Sequence, residues 1–319
     1  MKAMVLAAGL GTRLRPLTYE IPKPMVPVLD RPVMAHILGL LQRQGFDEVI
    51  ANLHYFPDAV KGYFGDRVEY RYEEELLGTA GGVRNVADFF GDDPVVVISG
   101  DALTDVDLNA LVERHRSAGG IGTLTVKHVD ETQEYGVVIH DSDGRIQGFQ
   151  EKPDPSEALS HLGNCGIYCF SPEIFDYFPK EPFADWANDV FPALLENDVP
   201  FHVHETTEYW NDVGSLAELR QGTWDALEGR LNIDVTGESE GDPPVWVGKD
   251  VDVGDDVRLM GPVAIGDGCR IGDGAALRDT IVFPGTEVAA GTIAIGAILG
   301  RGGIVDSMRP LDALEGLKS

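Results

Sequence analysis

The sequence predicts an α/β chain: a mostly parallel mixed sheet with helices on both faces, followed by a short C-terminal left-handed parallel β-helix. Three observations lead there. Short apolar runs alternate with amphipathic stretches over residues 1–230, the pattern of strand–helix units feeding a parallel sheet. Glycine-rich segments sit after the first apolar run and ahead of a central one, and open α/β sheets bind ligands beyond the carboxyl ends of their strands. From Val247 onward aliphatic residues recur every six positions, the period of stacked β-coils.

In chain order, positions 1–5 form an apolar run that reads as the first buried strand. A turn with Gly9 and Gly11 follows. Asp30 reads as an N-cap and Pro32 as the start of a helix carrying Val33, Ile37, Leu40 and Leu41, which stops near Gly45. Positions 48–53 read as a second strand and 68–72 as an alternating third. The fully apolar 94–99 run reads as a central strand. From Gly122 the pattern turns strand-rich, with a hairpin about Asp143 and Gly144. Positions 186–196 and 215–228 read as helices. The result is a Rossmann-like sheet domain over residues 1–230.

A polar stretch rich in Gly, Glu and Pro then reads as a linker over 231–245. Over 246–319 come hexads and a tail: Val247, Val253, Leu259, Ile265, Ile271, Leu277 and Phe283 are spaced by six, and Gly248, Gly254, Gly266 and Gly272 follow four of them. Each coil of three hexads turns its aliphatic residues inward, and stacking buries them. Seven hexads make little more than two coils, and the register drifts beyond Phe283. A glycine-rich sandwich edge is the alternative.

The chain of 319 residues carries 53 acidic against 25 basic side chains, a formal charge of -28. A nucleic-acid partner needs a basic footprint and is not expected. Any nucleotide site must be a local basic pocket in an acidic shell. The acids are spread along the chain, as on a solvated surface adapted to high internal salt, which screens self-repulsion. No 18-residue apolar run and no leader segment occur, so no membrane association and a cytoplasmic location are expected. Cys165, Cys169 and Cys269 lack the paired spacing of a disulfide framework or zinc site and read as buried core.

The candidate chemistry starts at the first turn. Gly9 and Gly11 allow a tight bend and close approach of a ligand, exposed N–H groups there suit phosphate, and Arg13 and Arg15 add guanidinium forks. Two glycines alone also fit an ordinary strand-to-loop turn. The Walker A and dinucleotide fingerprints do not fit, since Thr12 and Arg13 follow Gly11 and Leu14 stands where a third glycine is needed. Pro22 and Pro24 hold Lys23 in extended backbone. Gly78, Gly81 and Gly82 lead a second glycine-rich segment, open to a nucleobase edge or simply to close helix packing. Asp101, after the central strand, is a metal ligand or a helix cap, and Asp212 is a second carboxylate candidate.

The order Gly9-x-Gly11-Thr12-Arg13-Leu14-Arg15-Pro16-Leu17-Thr18, then Pro22-Lys23-Pro24, resembles the signature of the sugar-1-phosphate nucleotidylyltransferases, or NDP-sugar pyrophosphorylases. The resemblance implies a reaction of NTP with hexose 1-phosphate giving NDP-hexose and pyrophosphate. It implies nucleotide contacts from Leu6, Ala7, Ala8, Gly9, Gly11, Thr12, Arg13, Gly78, Thr79 and Gly81, and catalytic roles for Arg13, Lys23 and Lys152. Asp101 and Asp212 would hold Mg²⁺, whose preference for a few carboxylates plus phosphate oxygens and water they match. Gly136, Glu151 and Asn164 would contact the sugar and Lys152 its phosphate. The segment 77–82 looks most like the GDP-mannose-forming branch, with glucose 1-phosphate and dTTP or UTP as the alternative. The turn begins Ala7-Ala8-Gly9 where many members have Ala-Gly-Gly. A non-catalytic nucleotide-sugar-binding subunit would lack one of Arg13, Lys23, Asp101 or Asp212, and all are present. A hexapeptide acyltransferase needs a histidine in the coils, and every histidine lies at or before His204. The coils' open edges suit packing on the first domain or a homo-oligomer.

Overall fold

The computed structural model describes residues 1–307; residues 308–319 of the expected tail lie outside them. Packing divides the chain into two units. The first comprises Met1–Leu10, Pro22–Pro24 and Ile37–Asp212, and the second Gly11–Ile21, Met25–His36 and the chain from Val213.

The first unit is built on a nine-stranded mixed sheet. Its strands are β1 (Lys2–Leu6), β2 (Glu48–Leu53), β3 (Glu69–Tyr72), β4 (Val95–Ser99), β6 (Gly122–His128), β7 (Gly136–His140), β8 (Ile146–Glu151), β9 (Leu162–Phe170) and β10 (Phe201–Glu205). A short ribbon, β5 (Ala102–Thr104) with β11 (Trp210–Asp212), stands apart from it. The order β3-β2-β1-β4 is wholly parallel. Beyond β4 the sheet turns antiparallel through β9, to which β6 and β7 pair, with β8 paired antiparallel to β7. β10 adds parallel to β6. β4 lies between β1 and β9 and is buried over Val95, Val96, Val97 and Ile98, the place its uninterrupted apolar run requires. The core on one face gathers Met4, Ile50, Val97, Phe170, Trp186, Phe191 and Phe201, with the Phe170 and Trp186 rings stacked at 4.6 Å.

The helices of the chain include α1 (Val33–Arg43), α2 (Gly78–Arg84), α3 (Leu108–Ala118) and α4 (Leu216–Leu227). Asp30 does not cap α1. Its carboxylate accepts instead from the N–H and hydroxyl of Thr236, at 3.0 and 2.7 Å. Pro32 lies before the helix in a two-residue strand. A partner two hundred residues away is invisible to local spacing, and it outbids the helix terminus for the same oxygens. α4 starts as read, with the Ser215 hydroxyl accepting from Glu218 N–H. No described helix is long and apolar enough to cross a membrane, and all three cysteines are buried thiols.

In the second unit, Val245–Val247, Arg258–Ile265 and Ala276–Val282 pair in parallel. So do Asp252–Val253, Arg270–Ile271 and Glu287–Val288. The first step joins Asp252 to Arg270, 18 residues on, and the next joins Arg270 to Glu287, one residue fewer. The slip comes earlier than the spacing predicts: Met260 pairs with Arg278, 18 residues on, but Ile265 pairs with Val282, 17 on, so Val282 rather than Phe283 joins the interior. The interior holds Ile265, Ile271 and Leu277, but also Val263, Cys269 and Ala275, each two positions earlier. Val253, read as inward, is 45% exposed, because its strand pairs on one side only. The stretch 231–245, read as a linker, is tied to its own unit. Leu231 is buried, Glu238–Glu240 pairs with Val245–Val247, and the Trp246 indole donates to Thr236 O at 3.1 Å. Polar side chains do not prevent backbone pairing, and composition alone cannot report it.

Candidate active site

Leu6 ends β1 between Asn52 of β2 and Ser99 of β4, at the carboxyl end of three parallel strands. The chain then turns away with Ala7 and Ala8 still buried. Gly100 N–H donates to Leu6 O at 2.8 Å, and a Cβ on Gly100 would fall 2.4 Å from that oxygen. Only glycine lets β4 exit this close to β1. Gly9 is exposed with open space around it. Gly11 adopts φ 61° and caps the one-turn helix Thr12–Leu14, a left-handed conformation that glycine takes without strain. Its carbonyl accepts from the Thr18 hydroxyl at 2.7 Å. Thr12 and Arg13 are exposed on that turn, with Leu14 buried beneath it.

Lys23, bracketed by Pro22 and Pro24, brings its ammonium onto Asp101 Oδ2, while the Ser99 hydroxyl donates to Asp101 Oδ1. The two charged side chains are 15% and 18% exposed. Burial pushes the Asp101 carboxyl up, but the Lys23 ammonium and the hydrogen bonds from Lys23 and Ser99 outweigh it, leaving the group below the usual carboxylate range. The strand β5 begins directly after Asp101, and its Ala102 is paired with Asp212 of β11. The two carboxylates read from the sequence are therefore brought to one end of one ribbon. Among the described residues no cluster of three or more His, Cys, Asp or Glu side chains could hold a metal by itself.

A second group forms along β7, β8 and β9. Gly136 pairs with Glu151, whose Oε2 lies 3.1 Å from where a Gly136 Cβ would stand. Lys152, exposed at φ 47°, donates its N–H to Tyr135 O at 3.1 Å. Asn164 donates to the Tyr168 hydroxyl at 3.0 Å and accepts from Gly166 N–H at 3.1 Å, across a bulge in β9. The Tyr135 ring lies 5.3 Å from that of Trp210, whose indole donates to Cys165 O at 3.0 Å. These two aromatics join this group to the strand that carries Asp212. Lys23, Asp101, Glu151, Lys152, Asn164 and Asp212 belong to the first unit, and Gly11, Thr12 and Arg13 to the second.

The second glycine-rich segment is occupied by packing. The N–H groups of Ala80 and Gly81 both donate to Ala184 O, at 3.0 and 2.9 Å. A Cβ at Gly78 would lie 2.4 Å from that oxygen, and one at Gly81 2.7 Å from Pro182 O. The Thr79 hydroxyl donates to Asp185 at 2.7 Å and accepts from Trp186 N–H at 3.2 Å. Of the two uses open to these glycines, close packing accounts for their size. Sequence reading also missed Asn52, Glu73 and Ser99. The Asn52 amide accepts from Ala7 N–H at 2.8 Å and donates to Glu73 Oε1 at 2.8 Å, and Glu73 Oε2 accepts from Leu77 N–H at 3.1 Å. The available signal was a lone amide inside the otherwise apolar run of β2.

The family description nucleotidyl transferase matches residues 2–229, and the chain belongs to that family. Within it, curated relatives are sugar-1-phosphate nucleotidylyltransferases, as the sequence motifs implied. A UTP–glucose-1-phosphate uridylyltransferase from Synechocystis is 40% identical over 254 residues, which are 74% of this chain and 64% of that protein. A mannose-1-phosphate guanylyltransferase from Mycobacterium tuberculosis is 35% identical over 236 residues, 71% of this chain and 65% of that one. The chain thus spans just under two thirds of the length of these relatives. Among solved structures, HddC from Yersinia pseudotuberculosis complexed with GMP-PN superposes with a TM-score of 0.60 at 26% identity, over 70% of this chain and 97% of that one. A putative glucose-1-phosphate thymidylyltransferase from Bacillus anthracis gives 0.65 at 24% identity, over 73% and 97%, a likeness of fold alone.

Proposed function

We propose that this chain transfers a nucleotidyl group from an NTP to a hexose 1-phosphate, releasing pyrophosphate. The observation that carries the reading is the Lys23 ammonium on the Asp101 carboxylate at the end of β4, beside Asp212. A cation there, with two carboxylates able to take a divalent ion, suits a polyphosphate and its counter-ion better than a neutral ligand. An oxygen of the sugar phosphate attacks the α-phosphorus, the bond from α-phosphorus to the bridging oxygen breaks, and pyrophosphate leaves with the electron pair. The attacking group is already an anion, so the task is to align two polyanions and hold the charge of the leaving group.

In this reading Leu6, Ala7, Ala8, Gly9, Gly11 and Thr12 take the nucleotide, with Gly78, Thr79 and Gly81 shaping the wall by the base. Arg13 holds the β and γ phosphates, and Lys23 and Lys152 neutralise the reacting ones. Gly136, Glu151 and Asn164 orient the sugar. Asp101 and Asp212 fit Mg²⁺, because two hard carboxylates leave positions for phosphate oxygens and water. When bound, the ion would neutralise phosphate charge in the transition state. The hexads from Val247 to Phe283 are proposed as a left-handed parallel β-helix joining copies of the chain, with a tail after it; parallel pairing at steps of 18 and then 17 residues supports the reading. The enzyme domain is proposed over 1–230 and the location as cytoplasmic.

The segment 77–82 favours GTP with mannose 1-phosphate. A second reading, UTP with glucose 1-phosphate, is favoured by the 40% identity to the Synechocystis uridylyltransferase. Pyrophosphate release measured for five NTPs against glucose, mannose and galactose 1-phosphates separates them. Release with none of the pairs overturns the proposed reaction.

A further inference from the structure

We infer that Glu73 is a positioning residue for the nucleotide: with Asn52 it fixes the separation between the chain leaving β1 and the chain entering α2. The inference rests on the nucleotidyl-transfer reading, which assigns those two segments to the nucleotide.

Three hydrogen bonds in series span the gap: Ala7 N–H to Asn52 Oδ1, Asn52 Nδ2 to Glu73 Oε1, and Leu77 N–H to Glu73 Oε2. Their chemistry admits one assignment. A backbone N–H at one end obliges the Asn52 carbonyl to face it, so the Asn52 amide nitrogen faces residue 73. A second backbone N–H waits on the far side. Residue 73 must therefore accept from both directions, which a carboxylate does and an amide cannot. Asn52 and Glu73 are each 2% exposed. Burying a carboxylate is costly and an apolar pair would fill the space more cheaply, so core stability alone does not explain a charge here. The helix α2 packs directly on the relay, since a Cβ on Gly82 would fall 2.6 Å from Asn52 Nδ2 and 2.9 Å from Glu73 Oε1. The other side of the helix is held by Ala184 O and Asp185. Clamped from both sides, the helix start has one position relative to Ala7. Glu73 touches no reacting atom in this reading, so its effect falls on nucleotide affinity rather than on the chemical step.

Glu73→Gln keeps the shape but supplies one acceptor, so a donor faces a donor at one end and one link opens. Asn52→Asp together with Glu73→Gln restores the series. The carboxylate introduced at 52 accepts from Ala7 N–H and from the new amide at 73, whose carbonyl accepts from Leu77 N–H. The test is calorimetric titration with the NTP that wild type turns over, with steady-state kinetics and melting curves on the same proteins. Glu73→Gln is expected to raise the nucleotide Kd and KM about 10- to 100-fold. Its kcat and its KM for hexose 1-phosphate should stay within about threefold of wild type. The double variant should regain most of the lost affinity.

A nucleotide Kd unchanged in Glu73→Gln overturns the inference. So does a loss shared equally by kcat and both KM values, or a double variant that folds and binds no better than Glu73→Gln. If Glu73→Gln does not fold, Asn52→Ala, which cuts only the link to Ala7, is read by the same criteria. Wild type that binds nucleotide and turns none over refutes the reaction and leaves the relay to be judged on the affinities. Wild type that binds no NTP overturns both.

Discussion

The Lys23 ammonium and the Asp101 carboxylate satisfy each other at the carboxyl end of the central strand. Each is the counter-ion that makes the other tolerable in a partly buried place. In the proposed reaction a polyphosphate would compete for the Lys23 ammonium and a divalent cation for the Asp101 carboxylate.

Replacing Asp101 by Asn is expected to lower turnover on the order of 10²–10³, with a native circular dichroism spectrum. Arg13→Ala should lose activity on a similar scale with the fold retained in its circular dichroism spectrum. Lys23→Met should lose both activity and stability, since it strands a carboxylate. Full pyrophosphate release in Asp101→Asn or Arg13→Ala rules out the assigned roles.

Gly100→Ala places a methyl 2.4 Å from Leu6 O. Backbone cannot yield as a side chain does, so a loss of about 3 kcal/mol is expected from overpacking. Denaturant unfolding measures it. A loss below about 1 kcal/mol would show that the β1–β4 exit is looser than its geometry implies.

Much of this was legible in the residues. The apolar runs of β1, β2 and β4 and the hairpin about Asp143 and Gly144 fall where periodicity puts them, because burial on both faces or on alternate positions leaves its mark in the sequence. Lys23 stood out between two prolines, but it opens the one-turn helix Lys23–Met25 instead of lying in the extended backbone those prolines predict. What was not legible depends on distant partners. Asp30 reads as a cap until Thr236 is seen beside it, and the stretch 231–245 reads as a linker until its backbone pairs. Gly78 and Gly81 have the look of ligand contacts, but the 182–184 segment supplies the reason for their size. Glu73 sits among other acids, Glu74 and Glu75, and only the fold singles it out as buried.

Burial, partly offset by the Val28 carbonyl, holds the pKa of His36 below its ordinary 6.5. Burial, aided by Arg116, does the same for His115. Both bind a proton less readily in the folded protein than in the unfolded chain, so unfolding at acid pH takes up protons. Their contribution to stability is complete above pH 6.5 and is lost as pH falls below it. In molar salt, where self-repulsion is screened, the melting temperature should be flat from pH 8 to 7 and fall between 6.5 and 5. His36→Gln should reduce the slope. A flat profile in the wild type over that window refutes the account.

The formal charge of -28 predicts a strong response to ionic strength. Self-repulsion falls as the Debye length shortens from about 10 Å at 0.1 M to about 3 Å at 1 M. The melting temperature is expected to rise steadily with added KCl into the molar range. Equal stability in dilute buffer and in molar salt removes the argument for a salt-adapted surface.

The turn that presents Arg13 belongs to a unit made otherwise of Met25–His36 and the chain from Val213. Within that unit Arg220 donates to Gly296 O at 2.9 Å, Thr236 holds Asp30, and a Cβ on Gly302 would stand 3.5 Å from Glu20 Oε1. A ribosome therefore delivers the phosphate-motif residues among the first and their supports among the last. The sheet can close long before the arginine's footing exists. An expression clone cut at residue 230, the natural choice from the family match, would contain every candidate site residue and still leave that footing unbuilt.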